Sequence, residues 1–176
     1  MSQLEHESGS DRIAEAVRHM EADIVVKVQG DEPFQDRKSL KDLVDVFKNE
    51  QVRVSSMMSQ IRDKEEIQSP NAVKVVVDHQ NFALYFSRSP IPFQRNLDIN
   101  IPIFRHIGVY AYRKEILMAF TQMEKSILEQ TEMLEQLRLL ENGIKIKMVE
   151  SNHQSVAIDT KEDLVKATAY YKKHFR

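Results

Sequence analysis

The 176-residue sequence predicts an α/β domain in which helices cover both faces of a mixed β-sheet, giving three layers. Segments with helical spacing of apolar residues alternate along the chain with short apolar segments typical of strands. One pair of strand-like segments is close enough in sequence to form a hairpin, which adds antiparallel strands to the sheet. No repeat, linker or low-complexity segment divides the sequence, so we expect residues 1–176 to form a single domain.

The first elements alternate helix and strand. Ser8 and Asp11 have the spacing of a capping box, and the helix that they open carries a face formed by Ile13, Val17 and Met20. Residues 24–28 form an apolar run interrupted only by Lys27, which predicts a buried strand. Turn chemistry ends that strand at residues 30–33. A second helix and a second strand are predicted by the stripe of Leu40, Leu43, Val44 and Phe47 and by residues 52–58.

The second half continues the pattern. Residues 73–77 and 82–86 predict a hairpin, and three prolines at 90, 92 and 102 exclude residues 90–102 from the centre of a sheet. Strands are predicted at 107–112 and 144–149. A capping box at 126–129 opens a helix that we expect to run through Leu134, Leu137 and Leu140 and to end at Gly143. A last helix, capped at Thr160, carries Leu164, Ala167 and Tyr171.

The composition excludes several classes of protein. The net charge of −2 gives no general attraction to nucleic acid or to an anionic membrane, and no apolar run reaches the length of a membrane span. The absence of cysteine rules out disulfides, thiolate metal sites and a cysteine nucleophile. Neither of the common glycine-rich phosphate-binding loops is present. These features are compatible with a cytoplasmic enzyme.

Acidic residues follow two of the predicted strands. Asp31 lies in Val-Gln-Gly-Asp-Glu-Pro at residues 28–33, and Asp159 lies in Ile-Asp-Thr ahead of the last helix. Open α/β sheets bind ligands beyond the carboxyl ends of their strands, where an aspartate can hold Mg²⁺. The same spacing is also typical of a turn at Asp31 and a helix cap at Asp159, and taken alone it favours those structural roles.

Basic and aromatic residues lie between these acids. Arg88 follows Tyr-Phe-Ser, and Arg105 and His106 precede Ile-Gly-Val-Tyr at 107–110. Arginine can hold a carboxylate or phosphate through two parallel hydrogen bonds. The alternative is a surface arginine paired with an acid and a histidine satisfied within its strand, which composition alone favours. The residues by themselves therefore predict a cleft for an anion and a metal without naming a substrate.

The motifs, taken together and in order, resemble the CMP-Kdo synthetases (3-deoxy-manno-octulosonate cytidylyltransferases). The resemblance covers about His6 to Leu164. It rests on His-Glu-Ser-Gly-Ser-Asp-Arg at 6–12, residues 28–33, Asn-Ala-Val-Lys-Val at 71–75, Tyr-Phe-Ser-Arg at 85–88, Arg-His-Ile-Gly-Val-Tyr at 105–110, Leu-Glu-Gln-Leu-Arg at 134–138 and Ile-Asp-Thr at 158–160. It implies a Rossmann-like fold of the nucleotide-diphospho-sugar transferase type.

The resemblance also implies a reaction. The anomeric hydroxyl of 3-deoxy-manno-octulosonate (Kdo) attacks the α-phosphorus of CTP, pyrophosphate leaves, and the CMP-sugar serves lipopolysaccharide biosynthesis. By motif, Asp31 and Asp159 are the expected Mg²⁺ ligands, and Arg88 is expected to act with them in catalysis. The nucleotide side is expected to be formed by Ser8, Gly9, Arg12 and Gln29. The sugar-acid side is expected to be formed by Arg88, His106, Tyr110, Glu135 and Gln136. A cytoplasmic homodimer is expected, with the apolar arm around residues 91–103 as its interface.

The sequence departs from the family at its start. Family members begin with a strand and a basic, glycine-containing loop that binds the triphosphate, and nothing before His6 contains such a loop. We therefore expect the leading strand and the loop to be missing and this chain alone to have little activity. Two alternatives stay open. One is an acylneuraminate cytidylyltransferase, and the other is a non-catalytic, dimer-forming remnant of the same fold.

Overall fold

The computed structural model describes residues 8–30, 36–151 and 161–174. A short 3₁₀ turn, Val46–Lys48, follows the second helix. The elements are α1 Gly9–Val17, β1 Ile24–Lys27, α2 Arg37–Asp45, β2 Val54–Gln60, α3 Lys64–Gln68, β3 Lys74–Val77, β4 Ala83–Ser87, β5 Phe104–Arg113, α4 Lys114–Phe120, α5 Ile127–Glu132, α6 Gln136–Glu141, β6 Ile146–Glu150 and α7 Lys161–His174. Six strands form one mixed sheet in the order β4-β3-β5-β2-β6, with β1 also paired to β5.

Strand β5 organises the sheet. It pairs antiparallel with β2 along one edge, while β1 and β3 share its other edge, at Tyr110–Arg113 and Phe104–Arg105 respectively. Strands β2 and β6 are parallel, which makes the sheet mixed, as predicted. Successive side chains of a strand point to opposite faces, so β5 contributes to two separate cores.

The two cores lie on opposite faces of the sheet and confirm the predicted α/β class. Tyr110 and Tyr112 belong to the larger core, which also takes apolar side chains from α1, α4 and α6. Val109 and Ala111 belong to the smaller core, which is covered by Leu43 of α2 and by the 3₁₀ turn that follows it. Burial of these apolar side chains, at roughly 25 cal/mol per Å², is what holds the layers together.

A β-bulge interrupts the pairing of β2 with β5. The register shifts between Ser56 and Met57, so that residues 108 and 109 of β5 have no direct partner on β2. The bulge places Gly108 against the side chain of Gln29, just beyond the end of β1. A β-carbon built on Gly108 would lie only 2.8 Å from the Gln29 amide nitrogen. Bulges of this kind redirect side chains and are common beside functional sites.

The helix predicted to run from Ser126 through Leu140 is in fact two helices, which corrects the sequence prediction. The capping box at Ser126 and Glu129 is present, as predicted. The chain then leaves helical geometry at Met133, which has a φ of 55°, and α6 begins only at Gln136. Arg88 donates from Nε to the Glu132 carbonyl oxygen (2.8 Å), so a partner outside the helix satisfies the backbone at the break.

Several smaller predictions are also corrected. The run at 24–28 is not buried throughout: its residues alternate, with Val26 and Val28 exposed and Lys27 buried. Met20 lies beyond the end of α1 and is exposed, and on α7 Ala167 is buried while Leu164 and Tyr171 are exposed. Helices α3 and α4 were not predicted.

Other local predictions are confirmed. Ser8 caps α1 by accepting from the backbone N–H of Asp11, β3 and β4 form the predicted hairpin, and Gly143 follows α6 with a φ of 72°. No described helix is long and apolar enough to cross a membrane.

Candidate active site

Four elements meet at one end of the sheet and bring together residues from distant parts of the sequence. They are the start of α1, the end of β1, the middle of β5 and the start of α6. The Ser10 hydroxyl donates to the Glu135 carboxylate (Oγ to Oε2, 2.9 Å), which joins α1 to the beginning of α6. Lys27 lies between them, with Nζ 2.9 Å from Ser10 Oγ and 3.2 Å from Glu135 Oε2.

An aromatic row on β5 extends from this polar cluster. The ring centroids of Tyr110 and Tyr112 are 5.7 Å apart, and those of His106 and Tyr110 are 5.2 Å apart. The Lys27 ammonium lies 6.0 Å from the Tyr110 ring centroid, and the Phe86 ring contacts His106 edge-on at 5.1 Å. Three of the predicted sugar-side residues, His106, Tyr110 and Glu135, are thus linked through described contacts.

The aromatic residues of this row stay uncharged around neutral pH. Burial, reinforced by the positive charge of Lys27, lowers the pKa of His106 to about 3. Its Nε2 lies 2.8 Å from the Ser56 hydroxyl. Burial also raises the pKa of the Tyr110 phenol well above its ordinary value. Both groups therefore act as neutral hydrogen-bonding partners rather than as charges.

Glu135 is the acid of the cluster and forms an ion pair with the Lys27 ammonium. Burial alone would raise the pKa of its carboxyl, but Lys27 and Ser10 outweigh burial and hold that pKa below its ordinary value. Its neighbour Gln136 is buried, and the Gln136 amide nitrogen has no hydrogen-bond partner among the described residues. The start of α6 therefore presents an ionised acceptor beside an uncommitted donor.

Arg88 contacts the joint between α5 and α6 and has no described contact with the cluster of Ser10, Lys27 and Glu135. Ser87 and the backbone N–H of Arg88 both donate to the Glu132 carboxylate, at 2.6 and 2.9 Å. The Arg88 guanidinium donates to the carbonyl oxygens of Glu132 (2.8 Å) and Pro70 (3.0 Å). The described partners of the guanidinium are backbone carbonyls rather than the acidic side chain of a surface ion pair. The fork from Arg88 to a ligand carboxylate stays a prediction.

The predicted nucleotide-side residues lie at the same end of the sheet. Gly9 is the first residue of α1, where an added β-carbon would sit 3.6 Å from the Lys27 side chain. Ser8 caps the same helix, and Arg12 follows one turn later with its side chain exposed. Gln29 lies against the bulge at Gly108. Asp31 and Asp159, the predicted Mg²⁺ ligands, lie outside the described residues.

Sequence reasoning missed Lys27, Ser10 and Ser56. The one available signal was Lys27 itself, a lysine inside an apolar strand, since lysine is almost never fully buried unless it is paired. Nothing local pointed to Ser10 or Ser56, because their partners are 125 and 50 residues away in sequence. Lys74 was also missed as a buried cation: it is fully covered and donates to the carbonyl oxygens of Ser69, Ala72 and Arg88.

The mixed sheet with helices on both faces is that of the nucleotide-sugar transferase fold, and its solved neighbours include nucleotidyltransferases. A solved structure of a putative glucose-1-phosphate thymidylyltransferase from Bacillus anthracis has the same fold, with a TM-score of 0.62 at 14% identity, covering 97% of this chain and 64% of that one. A sequence profile for the family described as "Cytidylyltransferase" matches residues 1–146.

Relatives of much higher sequence identity indicate the family within this class. The chain is 53% identical to the 3-deoxy-manno-octulosonate cytidylyltransferase of Flavobacterium johnsoniae, over 96% of this chain and 70% of the relative. It is 51% identical to that of Christiangramia forsetii, over 94% of this chain and 68% of the relative. A solved CMP:2-keto-3-deoxy-manno-octonic acid synthetase complexed with CTP matches with a TM-score of 0.90 at 38% identity, over 96% of this chain and 70% of that one. This chain belongs to the 3-deoxy-manno-octulosonate cytidylyltransferase family.

Proposed function

We propose that this protein transfers CMP from CTP to the anomeric hydroxyl of Kdo and releases pyrophosphate, as a step toward lipopolysaccharide. Family membership supports an enzyme over a non-catalytic remnant, and the named relatives act on Kdo rather than on an acylneuraminate. The observation that carries the assignment to this site is the start of α6. There the ionised Glu135 and the unpartnered amide of Gln136 offer an acceptor and a donor side by side.

The described residues suit a sugar with many hydroxyl groups. Glu135 accepts hydrogen bonds from hydroxyls, while Gln136 and the protonated Tyr110 phenol donate. His106 contributes as a neutral imidazole, because protonation at neutral pH is prevented by its low pKa. Arg88 would hold the sugar carboxylate only by exchanging carbonyl contacts for it, since Nε and both terminal nitrogens already donate to carbonyl oxygens, those of Glu132, Pro70 and Met133.

The residues that bind the nucleotide and the metal are proposed from the sequence motifs of the family. Ser8, Gly9, Arg12 and Gln29 would contact CTP. Asp31 and Asp159 would hold Mg²⁺, which would offset the phosphate charge. The assignment of these two carboxylates stays a prediction. So does a cytoplasmic location.

The function is tested by binding and by turnover. Calorimetry should show Kdo binding to the chain, with N-acetylneuraminate binding more weakly or not at all. Pyrophosphate release from CTP should depend on Kdo.

Gln136→Leu removes the free hydrogen-bond donor of Gln136 and leaves an apolar side chain of similar size. Kdo affinity should then fall by about tenfold, which corresponds to the loss of one hydrogen bond to a polar ligand. Equal affinity for both sugar acids, or no effect of Gln136→Leu, would contradict the proposal.

We also propose a homodimer. The arm between β4 and β5 exposes large apolar side chains: Phe93 is 87% exposed, Leu97 83% and Ile99 55%. A continuous apolar patch of this kind usually marks an interface. A second copy of the chain is the proposed partner, in keeping with the family resemblance.

A further inference from the structure

Lys27 is a buried lysine whose partners belong to the proposed substrate site. It lies on β1, and its side chain is only 9% exposed. Its ammonium contacts Ser10 Oγ at 2.9 Å and Glu135 Oε2 at 3.2 Å, and Ser10 donates to the same carboxylate oxygen. Three side chains from three elements therefore form one closed hydrogen-bonded group.

The burial of this ion pair is uneven. A second buried pair among the described residues, Arg138 with Glu129, is a closed structural contact in which each side chain is 8% exposed. In the Lys27 pair the lysine is covered, but the Glu135 side chain remains 34% exposed. The lysine thus holds the carboxylate from inside the protein while the outer side of the carboxylate stays open to a ligand.

The two partners of Lys27 lie on different sides of the proposed site. Ser10 follows Ser8 and Gly9, which are predicted to contact the nucleotide, and Glu135 is predicted to contact the sugar. The β-carbon position of Gly9 is 3.6 Å from the lysine side chain, so the start of α1 rests on Lys27 as well.

We propose that Lys27 is a positioning residue of the transferase site: together with Ser10 it fixes the Glu135 carboxylate, ionised and in one orientation, as the acceptor for sugar hydroxyls, and it fastens α1 to α6. This inference rests on the proposed function, which places Glu135 on the sugar side. The lysine acts through Glu135 and need not contact the substrate. A fixed acceptor binds a hydroxyl without first losing side-chain freedom, which is the advantage of preorganisation.

The test compares the unaltered chain with Lys27→Met and Lys27→Arg. Carbon-13 NMR follows the Glu135 carboxyl through a pH titration, and calorimetry measures Kdo affinity at each pH. The charged or titratable groups that interact with Glu135 are Lys27 of β1, Tyr110 and Tyr112 of β5, and Arg138 of α6, and Arg138 in turn interacts with Asp11 of α1. Only the first differs between the variants.

In Lys27→Met we expect the pKa of Glu135 to rise, because burial then acts without an opposing charge. Kdo affinity should fall by about tenfold at neutral pH, the usual cost of losing a charge-assisted hydrogen bond, here the one between the Glu135 carboxylate and a sugar hydroxyl. The loss should grow as the pH drops through the raised pKa of Glu135. Lys27→Arg should restore both the low pKa and most of the affinity, since it keeps the charge.

Two further variants keep the test decisive. Lys114→Met removes a lysine that bridges the carbonyl oxygens of Arg18 and Met20 but has no described contact with Glu135, and should change neither readout. If Lys27→Met does not fold, Ser10→Ala removes one contact to Glu135 and should shift both readouts in the same direction, less strongly.

The inference and the proposed function fail in different ways. Absence of Kdo binding to the unaltered chain would contradict the proposed function. Kdo binding that Lys27→Met leaves unchanged, whether or not the pKa of Glu135 moves, would overturn the positioning role and leave Lys27 a structural ion-pair partner.

Discussion

His106 lies within the aromatic row of β5 as an uncharged ring. Phe86 and Tyr110 flank it, and the Ser56 hydroxyl bonds to its Nε2. Its pKa in the folded protein is about 3, against about 6.5 for an unperturbed histidine. The unfolded chain therefore binds a proton at a pH where the folded protein does not, and this difference links folding to pH.

We expect acid to destabilise the protein partly through His106. Because the pKa of His106 is depressed in the folded protein, its contribution to the free energy of unfolding is fully present above about pH 6.5. That contribution is lost as the pH drops from there toward 3, by at most about 1.4 kcal/mol per pH unit for one proton. His106→Gln keeps a hydrogen-bonding side chain and removes the titration. Urea unfolding at several pH values should give a shallower acid slope for this variant. An identical slope in both proteins would show that His106 is not the group responsible.

At Arg88 we expect a substitution that keeps the positive charge to weaken substrate binding nonetheless. Its guanidinium fits between the carbonyl oxygens of Glu132 and Pro70, and a lysine ammonium cannot reproduce that planar arrangement. In Arg88→Lys we expect Kdo affinity to fall by about tenfold or more while CTP affinity changes little. Calorimetry with each ligand measures both. Arg53→Lys, an exposed arginine before β2, is the control, and Kdo affinity equal to that of the control would refute the role of Arg88.

At the scale of elements, the joint between α5 and α6 explains what local patterns can and cannot predict. The capping box at Ser126 and the stop at Gly143 depend on neighbouring residues and were read correctly from sequence. The break at Met133 was not predicted, because the leucine stripe continues through it. Its stabilising contacts come from Ser87 and Arg88, 44 to 45 residues earlier. Such contacts exist only once β4 has been placed beside the helices.

The bulge in β5 offers a test of how one element positions another. A methyl group on Gly108 would come within 2.8 Å of the Gln29 amide nitrogen, the flexible end of a side chain. We expect Gly108→Ala to change the free energy of unfolding by less than about 1 kcal/mol, since Gln29 can move aside. Because Gln29 is displaced, CTP affinity should fall.

The bulge prediction has a control in the same region. Gly30→Ala adds a methyl group that meets no atom of the described residues within 4 Å, so it should leave the Gln29 side-chain amide in contact with β5. Nuclear Overhauser contacts of that amide report its position in each variant. If Gly108→Ala preserves these contacts and CTP affinity, the bulge does not seat Gln29.

At the scale of the whole molecule, the sequence predicted the fold class more completely than it predicted the contacts of the candidate site. The alternation of helix and strand patterns and the hairpin predicted a mixed α/β sheet, because those patterns are local. The joining of Ser10, Lys27 and Glu135 depends on three elements separated by as many as 125 residues, so no spacing in the sequence reveals it. The motif resemblance predicted Glu135 as a sugar-side residue but not its lowered pKa, which results from the Lys27 charge and the hydrogen bond from Ser10.

The exposed arm leads to a prediction about assembly. Phe93 and Leu97 are among the most exposed apolar side chains of the described residues, at 87% and 83%, and such surface is stabilised by covering it. If a second copy covers it, light scattering at micromolar concentration should give twice the mass of one chain. Phe93→Asp combined with Leu97→Asp should give the monomer, because charge is disfavoured at the centre of an interface. Ile127→Asp alters a similarly exposed residue (78%) outside the arm and should remain dimeric. A monomeric unaltered protein, or dissociation by Ile127→Asp alone, would count against the arm as the interface.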